Sequence, residues 1–156
     1  MTDHVQQQIL EAAQAALKAA VTAAGSRVYL DRTDELPSGD LAAIDILGAE
    51  EAGEESIEYL TMHWPATQRR SYSFAITSVT RSATGVAKAA RNLAAEVEET
   101  LLASANAITV GGKAIDMVLG EVSEAKTGGA DLPLASVRQV WQAQYITAGG
   151  APRSAL

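Results

Sequence analysis

The chain has 156 residues, no cysteine and a formal net charge of −7; 47% of its residues are apolar but only 4% are aromatic. At this length one domain buries about two-thirds of the surface that its unfolded chain exposes, enough for a core without staples. The missing thiols exclude disulfides, thiolate metal sites and thiol catalysis. The acidic balance argues against DNA binding or adhesion to anionic membranes, which depend on clustered Lys and Arg.

Asp3, with Gln6 three positions on, fits a capping box opening a first helix. Ile9, Ala13, Leu17, Ala20 and Ala24 recur at helical spacing as a narrow apolar stripe, and Gly25 is the expected stop. Small residues on that stripe allow close approach to a sheet, while Gln6, Gln7, Gln14 and Lys18 take the wet side. Glu11 and Lys18 interrupt the apolar run and no basic start precedes it, so a signal peptide is not expected. No segment is long and apolar enough to span a bilayer as a helix, and assembly in the cytoplasm is the expectation.

Val28 and Leu30 alternate with Arg27, Tyr29 and Asp31, the period of a strand with one buried face. Pro37, Ser38 and Gly39 break the run, and Ile44 and Ile46 restore it, with Ala43, Asp45 and Leu47 on the other side. Glu50, Glu51, Glu54, Glu55 and Glu58 follow, with the composition of a solvated loop. Ile57, Tyr59, Thr61 and His63 alternate with Glu58, Leu60, Met62 and Trp64, and beyond Pro65 Tyr72, Phe74 and Ile76 share one side. This is the pattern of a long hairpin, whose turn is expected to carry Arg69 and Arg70 as a basic tip.

Ser82 is the expected cap of a second helix over residues 83–103, with Val86, Ala90, Leu93, Val97 and Leu101 as its apolar stripe and Glu96, Glu98 and Glu99 facing solvent. Gly111 and Gly112 mark a tight turn, residues 115–122 a strand, and residues 126–131 a flexible connection. A strand over residues 137–147 is expected to close the sheet, and residues 149–156 have the composition of a flexible tail, leaving 1–148 as the domain. The order α-β-β-β-β-α-β-β describes an α+β fold: a mainly antiparallel (mixed) sheet of about five to six strands with two helices packed on one face.

No catalytic, cofactor or metal site stands out. Gly111, Gly112 and Lys113 resemble part of a phosphate loop, but Ala107 and Ala114 occupy its first Gly and its Ser or Thr, so a turn is the better reading. His4 and His63 have no further His or Cys at ligand spacing, and His63 beside Trp64 reads as a partly covered strand residue. The glutamates lack the order of a calcium loop, and no serine stands in a nucleophile elbow. Trp64, Trp141, Tyr29 and Tyr72 each suit an interface anchor or the core.

Arg27-Val28-Tyr29 after Gly25, the strand over 41–46, the strand over 70–76, the helix over 83–103, and Tyr145-Ile146-Thr147 with Pro152 behind it resemble the tail terminator proteins of long-tailed phages, the lambda minor tail protein U type. The likeness lies in element order and covers nearly the whole chain. Two features depart from the family pattern: the heavy acidic stretch, and a second helix opening Ser82-Ala83-Thr84-Gly85 where acidic residues are usual. The resemblance implies a non-enzymatic virion protein, a homo-hexameric ring on the head-proximal end of the tail tube. Such a ring stops polymerisation, meets the tube protein on one rim and a head-completion or connector protein on the other, and lets DNA pass without specific binding. An acidic lumen lined by the glutamates or Asp45 would ease that passage. Alternatives are a neck or head-completion protein, or a small carboxylate enzyme or binding module. Charged residues on expected loop tips, Arg32, Glu50, Glu51, Glu54, Glu55, Arg69 and Arg70, are the candidate partner contacts.

Overall fold

Helix α1 (Val5–Ala19) leads into strands β1 (Val28–Leu30), β2 (Leu41–Leu47), β3 (Glu55–Tyr59) and β4 (Thr67–Arg81). Helix α2 (Val86–Leu101) follows, then a small hairpin of β5 (Thr109–Val110) and β6 (Lys113–Ala114), and finally β7 (Asp116–Thr127) and β8 (Leu134–Ala148). The computed structural model describes residues 3–36, 39, 41–48, 55–128 and 132–156. The fold is α+β, with a mixed six-stranded sheet ordered β1-β2-β4-β8-β7 and β3 paired to β4. Among the described residues only β1 and β2 run parallel, and the other pairs are antiparallel.

Strand β4 is the spine. Its first half pairs with β3, from Tyr59 opposite Gln68 to Glu55 opposite Tyr72, and its second half with β2, from Leu47 opposite Ala75 to Leu41 opposite Arg81. Its other edge carries β8 along the full length, so the strand expected to close the sheet is central and β7 is the edge. Along β8 burial alternates without a break: every odd residue from Ala135 to Thr147 is buried, every even one half-exposed. Both helices lie on the odd side, where Val5, Ile9, Leu17, Leu93, Val97 and Leu101 pack on Ile44, Ile46, Phe74, Ile76 and Trp141.

Several local expectations are corrected. His4, not Asp3, caps α1, its Nδ1 accepting from the Gln6 N–H at 3.2 Å. The helix stops at Ala19 with Val21 in the left-handed region at φ 52°, well before Gly25, so Ala20 is exposed and Ala24 reaches the core from outside the helix. Ser82 does not cap α2: the cap residue is Gly85 at φ 64°, with no side-chain bond, and Ser82 Oγ donates to the Thr84 carbonyl instead. The expected α2 stripe is buried in full. Gly111 and Gly112, at φ 57° and 77°, make the expected tight turn, whose paired positive φ values a side chain would disfavour. Strand β7 runs on to Thr127, so Lys126 and Thr127 belong to it; residues 129–131 lie outside the described residues.

Residues 149–156, read from composition as a flexible tail, make main-chain bonds to the rest of the fold. The Gly149 N–H donates to Ala66, the Val5 N–H to Pro152, and the Leu156 N–H to Ile146.

Candidate functional site

The hairpin of β3 and β4 holds three of the four candidate contacts among the described residues, Glu55, Arg69 and Arg70. Glu55 and Glu58 are not in a loop but on β3, and Arg69 and Arg70 are not in the turn but on β4, so the expected acidic loop and basic tip face each other across one ladder. Arg69 Nη1 donates to Glu58 Oε2 at 3.0 Å on the exposed side of the sheet. Arg70 Nη1 donates to Glu55 Oε1 at 3.4 Å on the covered side, where Tyr145 Oη also donates to Glu55 Oε1 at 2.7 Å and Arg70 Nη2 to Gln68 Oε1 at 3.0 Å. Burial, and then the bond to Glu55, raise the Tyr145 hydroxyl's pKa well above the ordinary phenol range; Arg70 opposes the rise. Alternation places Arg69 and Arg70 on opposite faces, and that alone gives one a surface role and the other a nearly buried one.

Arg32 lies elsewhere. Its loop follows β1, but the guanidinium turns inward, donating from Nε and Nη2 to the two Asp45 carboxylate oxygens at 2.8 Å each, bonding Asp34 through Nη1 and lying 5.9 Å over the Tyr29 ring. The Asp45 hydrogen bond raises the Arg32 pKa against the opposing effect of its burial. Asp45, across from Thr77 on β4, is therefore consumed by an ion pair and does not offer a free carboxylate to a lumen. Thr77 stands seven positions along β4 from Arg70, roughly 23 Å at about 3.3 Å per residue, so Arg32 and the hairpin cluster form two separate places. Glu50, Glu51 and Glu54 lie outside the described residues.

The hairpin's true tip is the segment between Tyr59 and Thr67. His63 and Trp64, expected on a strand, sit there in the open, with Trp64 89% and Met62 83% exposed and Leu60, Tyr59 and Ile57 continuing the apolar surface down β3. The signal for it was Pro65: a strand ends before a residue with no N–H to give the ladder. Of the other three aromatic candidates, Trp141 and Tyr72 are core, Tyr72 stacking on Phe74 with ring centres 5.9 Å apart, and Tyr29 is half-buried under Arg32.

A cleft of about 550 Å³ at the start of α1 is lined in part by His4, Asp31, Arg32 and Tyr72. Its charged and titratable groups are already engaged: His4 caps the helix, Asp31 Oδ1 accepts from the Gly48 N–H at 3.0 Å, and Arg32 holds Asp45. Among the described residues no group of three or more His, Cys, Asp or Glu side chains could hold a metal ion, and no helix is long and apolar enough to cross a membrane.

No family model matches the chain. No curated protein sequence matches it either. Among solved structures the chain is similar to one from a structure titled "Virion of native gene transfer agent (GTA) particle", at 20% identity over 90% of each chain and a TM-score of 0.47. A second solved chain is 17% identical over 91% of this chain and 92% of its own, with a TM-score of 0.42.

Proposed function

We propose that this chain is a non-enzymatic structural subunit of a phage-like virion, a tail terminator whose copies form a ring on the head-proximal end of the tail tube. The ring ends tube growth and offers its far rim to a head-completion or connector protein, after assembly in the host cytoplasm. The observation that most supports this reading is the one-sided sheet. The segments carrying the sequence resemblance fold as adjacent strands and one covering helix, with no helix among the described residues on the opposite face. That helix-free face is partly closed, with Ala43, Asp45, Ala75 and Val79 buried on it and Arg32 lying on Asp45, and elsewhere presents Ser71, Ser73 and Thr77 of β4 beside Gln144, Gln142 and Arg138 of β8, half-buried and mostly uncharged. Such a wall suits contact with other subunits or passing DNA, because its arginines, Arg32, Arg69, Arg81 and Arg138, already have interactions within the chain and leave phosphates little to grip.

A ring follows when head-to-tail contacts between identical subunits complete a circle, and growth stops when one rim refuses the next layer. Six copies of a 16.3 kDa chain would give about 100 kDa. Tails assembled without this chain are expected to grow to uncontrolled length, as seen by electron microscopy. Tails of normal length without heads would identify a joining protein instead, and a label on the chain found away from the junction of tube and head would sink both readings.

A further inference from the structure

The hairpin tip and the strand leading to it leave much apolar surface in water, holding five of the ten exposed large hydrophobic side chains among the described residues. Ile57, Tyr59, Leu60, Met62 and Trp64 are between 38% and 89% exposed. A whole aromatic side chain buries about 150–250 Å², so the five together offer on the order of 500–600 Å², the size of patch that marks an interaction site. Stable interfaces bury about 800 Å² per partner, so this patch would make up most of one.

The same molecule carries a recess with apolar side chains in it and a polar rim, able to take an amphipathic residue such as Trp64. Between the end of α2 and the start of β7 lies a cleft of about 250 Å³, lined by Leu101, Leu102, Ala105, Ile115 and Met117 together with the polar Ser104 and Asp116, with Leu102 47% exposed. It is smaller than the roughly 300 Å³ at which small-molecule sites begin, and suits one or two side chains. Register fixes its position relative to the tip: Asp116 pairs with Gln144, Gln144 with Ser71, and Ser71 with Ser56. Ser56 and Asp116 thus stand on opposite edges, three strand spacings or roughly 14 Å apart, and the tip begins three positions, roughly 10 Å, further along at the same end of the sheet. The exposure of Trp64 shows that its own chain does not fill the cleft with it.

We propose that the tip bearing Met62 and Trp64 of one copy seats in the Leu102 cleft of the next, joining copies head to tail along their sheet edges. A protrusion on one edge and a recess on the other make a heterologous contact, the kind that generates rings or filaments where two-fold pairing would stop at a dimer. The inference rests on the self-assembly reading above and names its interface.

The chain has no cysteine, so single cysteines report cleanly. Full-length Met62→Cys and Leu102→Cys, both at exposed positions, are mixed across a concentration series under mild oxidation and run on non-reducing gels. A mixed 62–102 dimer is expected, absent when either variant is oxidised alone, and the Met62→Cys/Leu102→Cys double variant is expected to give species above the dimer. Trp64→Ala should lower the mixed yield at least tenfold with an unchanged melting temperature. No mixed product, or a strong dimer from Met62→Cys alone, overturns the proposal, the latter because it would mean tip against tip. If the 62–102 link forms but tails assembled without the chain keep normal length, the interface stands and the terminator reading fails. If tails overgrow without the chain and no link forms, the reverse holds.

Discussion

The two halves of the helix-covered face are built differently. Under α1 and the second half of α2, large side chains meet: Phe74, Ile76, Ile44 and Trp141 against Ile9, Leu17, Leu93, Val97 and Leu101, all buried. Under the first half of α2, only Val86, Ala90 and Ala94 meet Ala135 and Val137, and the seam between the halves is polar, with Ser78, Thr80 and Gln139 buried in the sheet. Two of these hold the helix by its backbone, Thr80 Oγ1 donating to the Val86 carbonyl at 2.8 Å and Gln139 Nε2 to that of Ala94 at 3.3 Å. Ser78 Oγ and Gln139 Oε1 lack a partner among the described residues. Beyond the seam β7 is exposed at every residue from Gly120 to Thr127. The contrast teaches that one helix can be anchored by apolar area at one end and merely positioned by hydrogen bonds at the other, since burial stabilises by about 25 cal/mol per Å² and alanine brings little area.

Truncation should expose this difference most. Trp141→Ala is expected to cost about 3–5 kcal/mol in denaturant unfolding, and Val137→Ala across the seam about 1–2 kcal/mol. Equal losses would break the comparison. At the hairpin end, Arg70→Ala removes a nearly buried partner of Glu55 and should cost about 1–3 kcal/mol, while Arg69→Ala, on the open face, should leave the melting temperature unchanged.

The alkaline limb of stability sharpens the account of the large-residue half. The Tyr145 hydroxyl's pKa is raised in the fold by burial first and then by its bond to Glu55. The folded state therefore keeps a proton that the unfolded chain loses near pH 10, so this contribution is complete below about pH 10 and declines above it. Tyr145→Phe should flatten the fall in stability above pH 10 relative to the parent chain, measured by urea unfolding at stepped pH. An identical slope in both chains would refute the burial argument.

Smaller effects test the edges of each half. Val21 is β-branched, 82% exposed and left-handed at φ 52°, so Val21→Asn should stabilise α1 by about 1 kcal/mol, read as a higher urea midpoint at constant slope. Ser78→Ala, which removes a buried hydroxyl without a partner among the described residues, should fall within about 0.5 kcal/mol of zero. A clear loss would show that the hydroxyl is satisfied, for instance by a buried water.

Periodicity made the elements legible. The three-and-four spacing from Val86 to Leu101, the alternation at Tyr72, Phe74 and Ile76, and the Gly111-Gly112 turn each follow from a local rule that side chains a few residues apart must obey together. The candidate site was less legible. Alternation does not say where a strand stops, so the pattern from Ile57 runs on past Tyr59 into what is the exposed tip and points to a turn at Arg69 and Arg70, whereas the chain turns between Tyr59 and Thr67. Charged residues were expected to be free because they are charged, yet Arg32 is turned onto Asp45, 13 positions away in the chain, and Arg70 onto Glu55, 15 positions away.

Composition and short-range patterning by themselves determined the α+β class, the approximate order of its helices and strands and the identity of most core side chains, because burial of apolar area acts through spacings visible along the chain. Tertiary structure alone decided that β8 lies between β4 and β7, that Arg69 and Arg70 part to opposite faces with different partners, and that an apolar tip and a cleft of mixed lining stand on opposite edges of one sheet. Those facts depend on strand pairing between residues far apart in the chain, and no local spacing encodes which edge meets which.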